Sequence, residues 1–146
     1  MSQPESTIPS SWTGNVVAIT GGGTGIGREV AARVLALGGS VVLNGRRVEV
    51  LAAAAKALDP SGERIAVVAG DIADPATGRA LTAAAVERFG RLDTLVNSAG
   101  VFAPAPFTEV GESEYDRFVD IILKGTFFAS QAAVSALKET KGSIVN

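Results

Sequence analysis

The sequence of 146 residues contains neither cysteine nor histidine. The absence of cysteine excludes disulfide bonds and a thiolate nucleophile. Together the two absences remove the soft metal ligands and the residue that most often serves as a general base. Aromatic residues make up only 5% of the chain. We therefore expect no bound metal, and a core built mainly from Ala, Val, Ile and Leu.

The chain also lacks a strong charge imbalance and a long apolar run. Its net charge of −2 argues against broad attraction to nucleic acid or to an anionic membrane. No run of about 18 apolar residues is present, which argues against a membrane-spanning helix. The first dozen residues show no basic segment followed by an apolar one, so we expect no signal peptide and a cytoplasmic protein.

The residues that are present have the composition of a packed domain, with 47% hydrophobic and 19% charged residues. Residues 1–13 carry Pro4, Pro9 and several Ser and Thr, and are expected to form a flexible tail. Residues 14–146 then form a single domain. The 17 glycines exceed what turns require, so some are expected where the backbone approaches a ligand or another element closely.

Short apolar segments alternate with stretches of helical length. The predicted strands are 15–20, 41–43, 65–69, 93–96 and 142–146. The predicted helices run from the glycine-rich turn 21–27 to about 37, and over 48–58, 75–89 and 113–137. No strand reads as half-exposed. This alternation predicts an α/β fold, a Rossmann-like, doubly wound parallel sheet with helices on both faces, incomplete after its fifth strand.

Two helix starts have recognisable capping residues. Asp74 followed by Pro75 predicts an N-cap and a first helical residue. Ser113 with Asp116 three residues later resembles a capping box. Before that second start, residues 97–112 form a long loop with two prolines, which excludes a continuous helix there.

The turn after the first strand, residues 20–27, reads TGGGTGIG. A helix N-terminus preceded by glycines offers backbone N–H groups and a positive dipole end, which suit a pyrophosphate. The turn follows a buried strand and opens a helix, and this context favours a dinucleotide site over a merely flexible loop. No Lys-Ser/Thr pair follows at P-loop spacing, so a nucleoside triphosphatase is not expected.

The sequence resembles the short-chain dehydrogenase/reductase (SDR) family over residues 16–146. The family's Thr-Gly-x-x-x-Gly-x-Gly spacing is found at 20–27, and Asn-Ser-Ala-Gly at 97–100 resembles its Asn-Asn-Ala-Gly motif. Gly-Arg-Leu-Asp at 90–93 and Lys-Gly-Thr-Phe at 124–127 are also similar. The resemblance implies an NAD(P)-dependent enzyme that transfers hydride between the cofactor and a small carbonyl/alcohol substrate, or an enoyl substrate.

The choice between NADP and NAD is expected at the end of the second strand, about twenty residues after the glycines. The sequence Asn44-Gly45-Arg46-Arg47 has no carboxylate there for the ribose hydroxyls, but two guanidinium groups that suit a 2′-phosphate. Solvated surface charges are the alternative, although cations at the start of a helix cost about 0.3–1 kcal/mol. We predict NADP over NAD, with Arg46 as the main contact.

The resemblance assigns the remaining contacts. It places the pyrophosphate at the glycine turn, the adenine at Asp71 and Ile72, and a ribose wall at 97–100. A loop or capping role for Asp71 and a strand-end turn role for Asn97 remain open. The predicted cofactor-binding residues are Gly21, Thr24, Gly25, Ile26, Gly27, Arg46, Arg47, Asp71, Ile72, Asn97, Ala99 and Gly100.

No catalytic residue is assigned within the sequence. The single Tyr115 is followed four residues later by Val119 and not by Lys, and the resemblance places the family's Ser, Tyr and Lys beyond Asn146. Ile122 stands where many relatives carry a catalytic Asn. Some dienoyl- and enoyl-CoA reductases of the family also depart here, and simple tolerance of an apolar residue is the alternative. We expect the chain as given to bind cofactor at most.

Two other functions remain alternatives to a truncated enzyme. A non-catalytic NADP-sensing module would also lack Tyr-x-x-x-Lys, whereas an S-adenosylmethionine methyltransferase shares only the glycine-rich turn. Intact SDR relatives are commonly dimers or tetramers. The apolar residues of the long helix fit such an interface or the core: Phe118, Ile121, Phe127 and Phe128. Because an unpartnered fifth strand exposes backbone, the 146-residue polypeptide is expected to fold poorly alone or to depend on a partner segment.

Overall fold

The computed structural model describes residues 11–146. Most of the predicted flexible tail, residues 1–10, lies outside this range. Near the C-terminal end of the predicted tail, the backbone N–H of Trp12 donates to the carbonyl oxygen of Leu37 at 2.8 Å. The half-buried indole packs against one of the two hydrophobic clusters. The chain is therefore already in contact with the domain at Trp12.

Strands and helices alternate along the described residues. The strands are β1 Val16–Thr20, β2 Ser40–Gly45, β3 Ile65–Ala69, β4 Thr94–Asn97 and β5 Ser143–Val145. The α-helices are α1 Gly25–Ala36, α2 Val48–Leu58, α3 Pro75–Phe89, α4 Glu112–Phe118 and α5 Gly125–Thr140. A 3₁₀ turn at Phe107–Glu109 precedes α4, and a π-helical segment, Val119–Lys124, joins α4 to α5.

The sheet is parallel, with the strand order β3-β2-β1-β4-β5. Val17 of β1 lies in register with Val41 of β2 on one side and with Thr94 of β4 on the other. The chain builds outward from β1 to β3 and then returns to place β4 on the opposite side of β1. Such a reversal marks the point where doubly wound sheets bind ligands, beyond the carboxyl ends of the strands. The predicted fold is confirmed.

Alternate residues of β1 belong to two separate cores. Val17 and Ile19 pack on the face covered by α1 and α2. Val16 and Ala18 pack on the other face, which α3 and α5 cover. Both sets of side chains are buried, which explains why the strand is apolar throughout and shows no polar alternation.

The two predicted helix starts have different outcomes. The carboxylate of Asp74 accepts a hydrogen bond from the N–H of Ala76 at 2.9 Å, and Pro75 opens α3, so that prediction is confirmed. The capping box at Ser113 is wrong. Helix α4 begins one residue earlier, with Gly111 as an extended N-cap and no side-chain cap. Ser113 is therefore already inside the first turn, where its hydroxyl does not occupy the N-cap position.

Two further expectations about the elements are wrong. Strand β3 is not buried on both faces, since Val67 and Ala69 are exposed. All three residues of β5 are exposed as well, which agrees with the expectation for an unpartnered fifth strand. Each of these strands pairs with a single neighbour and stands at an edge of the sheet. The long helix expected over 113–137 is instead divided by the π-helical segment and ends at Thr140. Hydrophobic periodicity does not reveal a single widened turn.

The helical run through α4, the π-helical segment and α5 carries charged side chains, among them Glu112, Asp116 and Asp120. Within residues 11–146, no helix is both long enough and apolar enough to cross a membrane.

Candidate cofactor-binding site

A cleft opens at the carboxyl edge of the sheet, where β1 lies between β2 and β4. Its walls come from the glycine-rich turn after β1, the end of β2, the turn after β3, the segment after β4 and the π-helical segment. Of the predicted cofactor-binding residues, the cleft is lined by Gly21, Thr24, Arg46, Arg47, Asp71, Ile72, Ala99 and Gly100. The fold thus brings together residues that are as far apart in the chain as Gly21 and Gly100.

Backbone contacts fix the glycine-rich turn against its neighbours. Gly21 has a φ of 66°, and a Cβ built there would lie 2.9 Å from the Cα of Ala99. The hydroxyl oxygen of Thr20 accepts a hydrogen bond from the N–H of Ala99 at 3.0 Å. The N–H of Gly22 donates to the carbonyl oxygen of Asn44 at 2.9 Å. The ends of β1, β2 and β4 are therefore held together at the floor of the cleft.

Helix α1 begins at the edge of this turn. Its N-cap Thr24 is extended and makes no side-chain cap hydrogen bond, so the N-terminal N–H groups are left for an anionic ligand. A Cβ on Gly27 would lie 2.6 Å from the carbonyl oxygen of Gly21, so Gly27 permits close packing of α1 on the turn. The side chain of Ile26 is 78% exposed. Gly25, Ile26 and Gly27 do not line the cleft.

The two arginines stand at the mouth of the cleft, after β2. Both are exposed, and Arg47 is the N-cap of α2. Within residues 11–146, neither guanidinium forms an ion pair with a carboxylate. The preceding Gly45 also lines the cleft, and a Cβ there would meet only the side chain of Leu51 at ordinary contact distance. The end of β2 therefore presents positive charge and no acid.

Asn44 is a cleft residue whose role was not predicted. Its side chain is 1% exposed, and its amide nitrogen donates to the carbonyl oxygens of Val68 and Gly70, each at 3.1 Å. These bonds tie β2 to β3 and to the turn beyond it. Only one feature of the sequence could have indicated this role, namely a polar residue in an otherwise apolar strand. A buried amide is normally hydrogen-bonded, so Asn44 could have been expected to bind a neighbouring backbone.

The pair after β3 has both local and cleft-facing roles. A carboxylate oxygen of Asp71 accepts from the N–H of Ala73 at 3.0 Å, so the turn uses Asp71 even though Asp74 caps α3. Asp71 nevertheless remains exposed and lines the cleft. Ile72 is buried, and a Cβ on Gly125 would lie 2.9 Å from its side chain. Both interpretations left open for Asp71 are therefore compatible with its position.

Asn97, at the end of β4, does not line the cleft. Its amide nitrogen donates to the hydroxyl oxygen of Ser130 at 3.1 Å and to the side-chain oxygen of Asn146 at 2.8 Å. Its own buried amide oxygen has no hydrogen-bond partner among residues 11–146. The side chain therefore connects β4 to α5 and to the residue after β5, beside the cleft.

The π-helical segment directs two adjacent isoleucines into different environments. Ile121 is 7% exposed, belongs to the core under α3 and α5, and lines the cleft. Ile122 is 46% exposed and is not part of the cleft lining. The sequence left Ile121 open between an interface and the core, and it lies in the core. Its contact with the cleft was not predicted.

The residues present fit a dinucleotide. The uncapped start of α1 suits a pyrophosphate, and the guanidinium groups without ion pairs suit a further phosphate. The Asp71 carboxylate and the apolar side chain of Ile121 line the same cleft. A metal fits less well, since residues 11–146 contain no group of three carboxylates placed to hold one.

Comparison with known proteins agrees with this geometry. The family model for short chain dehydrogenases matches residues 15–146. The chain belongs to the short-chain dehydrogenase family. Among its relatives, L-rhamnose-1-dehydrogenase of Scheffersomyces stipitis is 41% identical over 137 residues, which cover 90% of this chain and 53% of that protein. The (2S)-[(R)-hydroxy(phenyl)methyl]succinyl-CoA dehydrogenase subunit BbsD of Thauera aromatica is 33% identical over 132 residues, which cover 90% of this chain and 53% of that protein.

Solved structures of short-chain dehydrogenases superpose on the chain. The glucose/ribitol dehydrogenase from Brucella melitensis matches with a TM-score of 0.82 and 36% identity, covering 86% of this chain and 52% of that one. A short chain dehydrogenase from Bacillus anthracis matches with a TM-score of 0.84 and 32% identity, covering 90% and 55%. The chain therefore spans about half the length of the short-chain dehydrogenases it matches.

Within the described part of this short-chain dehydrogenase, the one tyrosine lies outside the cleft lining. Tyr115 lies exposed on α4, and the cleft does not include it. The position four residues later is Val119 at the start of the π-helical segment. The chain therefore supplies a cofactor cleft, while the described residues contain no Tyr-x-x-x-Lys pair.

Proposed function

We propose that this chain is the cofactor-binding part of an NADP-preferring oxidoreductase that transfers hydride between NADP(H) and a small carbonyl/alcohol substrate. The observation that carries the proposal is the end of β2, where Arg46 and Arg47 stand without ion-pair partners in residues 11–146 and no acid is present. An acid at this place selects for NAD by binding the ribose hydroxyls, whereas an arginine accommodates the 2′-phosphate.

The cleft residues divide this binding between them. The turn at Gly21 and the start of α1, from Thr24 to Gly27, would hold the pyrophosphate through backbone N–H groups. Arg46, assisted by Arg47, would hold the 2′-phosphate, and Asp71 with Ile72 would contact the adenine. The segment 97–100 would form the adjoining ribose wall. The bound nicotinamide would exchange hydride with the substrate, and the chain would supply binding and orientation.

We propose a hydroxyl/carbonyl pair as the reacting group of the substrate. Two relatives support this choice, since one is a rhamnose dehydrogenase and the other a dehydrogenase whose substrate name contains a hydroxy group. An enoyl substrate is the alternative, because Ile122 departs from the family's catalytic Asn. Oxidation of NADPH by the whole protein, measured with aldehydes and ketones and separately with enoyl thioesters, distinguishes the two.

The cofactor preference is tested by titrating the protein with NADPH and with NADH. We expect NADPH to bind more tightly, and Arg46→Ala to weaken NADPH by about tenfold or more while leaving NADH unchanged, because a charge-assisted hydrogen bond is worth about 1.5–3 kcal/mol. We expect Gly45→Asp, which places a carboxylate beside the ribose, to shift preference toward NADH. Equal affinity of the unmodified protein for both cofactors would defeat the proposal.

A module that binds NADP without turnover is the second candidate. It is favoured by Ile122, which stands where many relatives carry a catalytic Asn. The two candidates differ in one measurement on the whole protein. Tight NADPH binding without oxidation by any carbonyl or enoyl compound would favour the module, whereas substrate-dependent oxidation would exclude it.

A further inference from the structure

A second depression adjoins the cofactor cleft and shares three residues with it. Arg46, Asp71 and Ile121 line both. The far wall of the depression is the polar face of α4 and the start of the π-helical segment. The depression measures about 590 Å³, so α4 faces the arginine at the end of β2 across open solvent.

Most of the side chains on this far wall are charged. Glu112, Asp116 and Asp120 lie at intervals of four residues and all line the depression, as does Arg117. Asp120 is paired with Lys124 at 3.4 Å. Within residues 11–146, neither Glu112 nor Asp116 forms an ion pair. Carboxylates without ion-pair partners therefore face a guanidinium that also has none.

We propose that the α4 carboxylates of Glu112 and Asp116 reduce the discrimination between NADP and NAD by opposing the 2′-phosphate at Arg46. This inference rests on the proposed function, because it assumes that Arg46 holds that phosphate. A phosphate monoester carries a charge of about −1.5 to −2 at pH 7. At low ionic strength, where the Debye length is about 30 Å, it feels fixed charges across a depression of this size. NADH carries no phosphate at this place and feels no such opposition.

The wall also contains a residue that acts in the opposite direction. Arg117 lines the same depression, one residue from Asp116. Its positive charge favours the 2′-phosphate for the same reason that the carboxylate opposes it. Removing the charge of Asp116 should therefore raise NADPH affinity, and removing the charge of Arg117 should lower it. A general disturbance of α4 would change the affinity in the same direction in both variants.

The test compares charge-neutralising variants of α4. We expect Asp116→Asn to tighten NADPH binding about twofold and Arg117→Gln to weaken it about twofold, with NADH changed by neither. Glu114→Gln is the matched control, because it makes the same charge change on the same helix at a residue outside the depression. Dissociation constants are measured by calorimetry at low salt and at 1 M salt, where we expect both shifts to vanish because the Debye length falls to about 3 Å.

Three results would overturn the inference. One is a parallel shift of NADPH and NADH affinity in Asp116→Asn, and another is a shift of equal size in Glu114→Gln. The third is an unchanged NADPH affinity in Asp116→Asn while the unmodified protein still prefers NADPH, which leaves the proposed function standing. If the unmodified protein shows no preference for NADPH, the proposed cofactor choice falls and this inference falls with it.

Discussion

Gly21 is a position where backbone conformation and packing both exclude a side chain. Its φ lies in the left-handed region, and the backbone of Ala99 occupies the place where a Cβ would project. Gly25 shares the left-handed conformation, with a φ of 53°, but nothing lies within 4 Å of a Cβ built there. The two glycines of one motif therefore serve different physical purposes.

This difference predicts unequal costs for the same substitution. We expect Gly21→Ala to lower the free energy of unfolding by about 2–4 kcal/mol, since it combines conformational strain with a clash against backbone. Gly25→Ala carries the strain alone and should cost about 1–2 kcal/mol, while reducing affinity for NADPH at the start of α1. Urea unfolding and cofactor titration of both variants check this. Equal stabilities of the two variants would contradict the role assigned to Ala99.

Single residues also mark the limit of what the sequence could predict about the site. Residues in a recognisable motif, such as Gly21 and Ala99, were predicted and line the cleft. Asn44 and Ile121 also line it, but their contribution depends on which strands and helices become neighbours in space. The local sequence does not show which elements become neighbours, because a buried Asn or Ile occurs in similar local sequences in many different folds.

Among the elements, the π-helical segment has the most direct effect on the cleft. It interrupts the regular helix between α4 and α5 and places adjacent isoleucines in opposite environments. Gly125, the first residue of α5, lies so close to Ile72 that a Cβ would require one of them to move. The segment therefore places Ile121 in the cleft wall, while α5 packs tightly against the turn after β3.

Ile121 and Ile122 provide a test of where the π-helical segment places each side chain. We expect Ile121→Ala to lower the free energy of unfolding by about 2–4 kcal/mol, because it empties a buried site in the core. Ile122→Ala removes the same atoms from an exposed position and should cost about 0.5 kcal/mol or less. The comparison uses urea denaturation of the two variants side by side. A reversed order of stability would show that the widened turn is placed one residue from where the structure has it.

The sequence predicted the order of strands and helices better than their solvent exposure and their packing. The order of strands and helices followed from apolar runs, from the glycine-rich turn and from the cap at Asp74. The exposure of β3 and the break in the long helix were not predicted. Both depend on sheet order and on packing between elements, because β3 stands at an edge of the sheet and its residues Val67 and Ala69 are left exposed there.

The whole domain is unevenly covered. The centre of the sheet is enclosed between helices on both faces, whereas β5 pairs with β4 alone and is exposed along its length. Apolar side chains of the π-helical segment and α5 are exposed as well, with Leu123 at 67% and Phe127 at 59%. We propose that this helical face joins copies of the whole protein into a dimer or tetramer. The exposed edge at β5 concerns the folding of residues 1–146 by themselves.

An exposed apolar edge strand is a template for pairing with another chain. We therefore expect residues 1–146, expressed alone, to associate at micromolar concentration or to melt without cooperativity. Val145→Lys should reduce the association, because a charged side chain on an edge strand disfavours pairing with a second chain. Val67→Lys on β3 is the matched control and should act less, since β3 is exposed only at alternate residues. Light scattering after size-exclusion chromatography, with thermal melts, measures both properties. A monomer with a cooperative melt would show that β4 and α5 suffice to stabilise the edge.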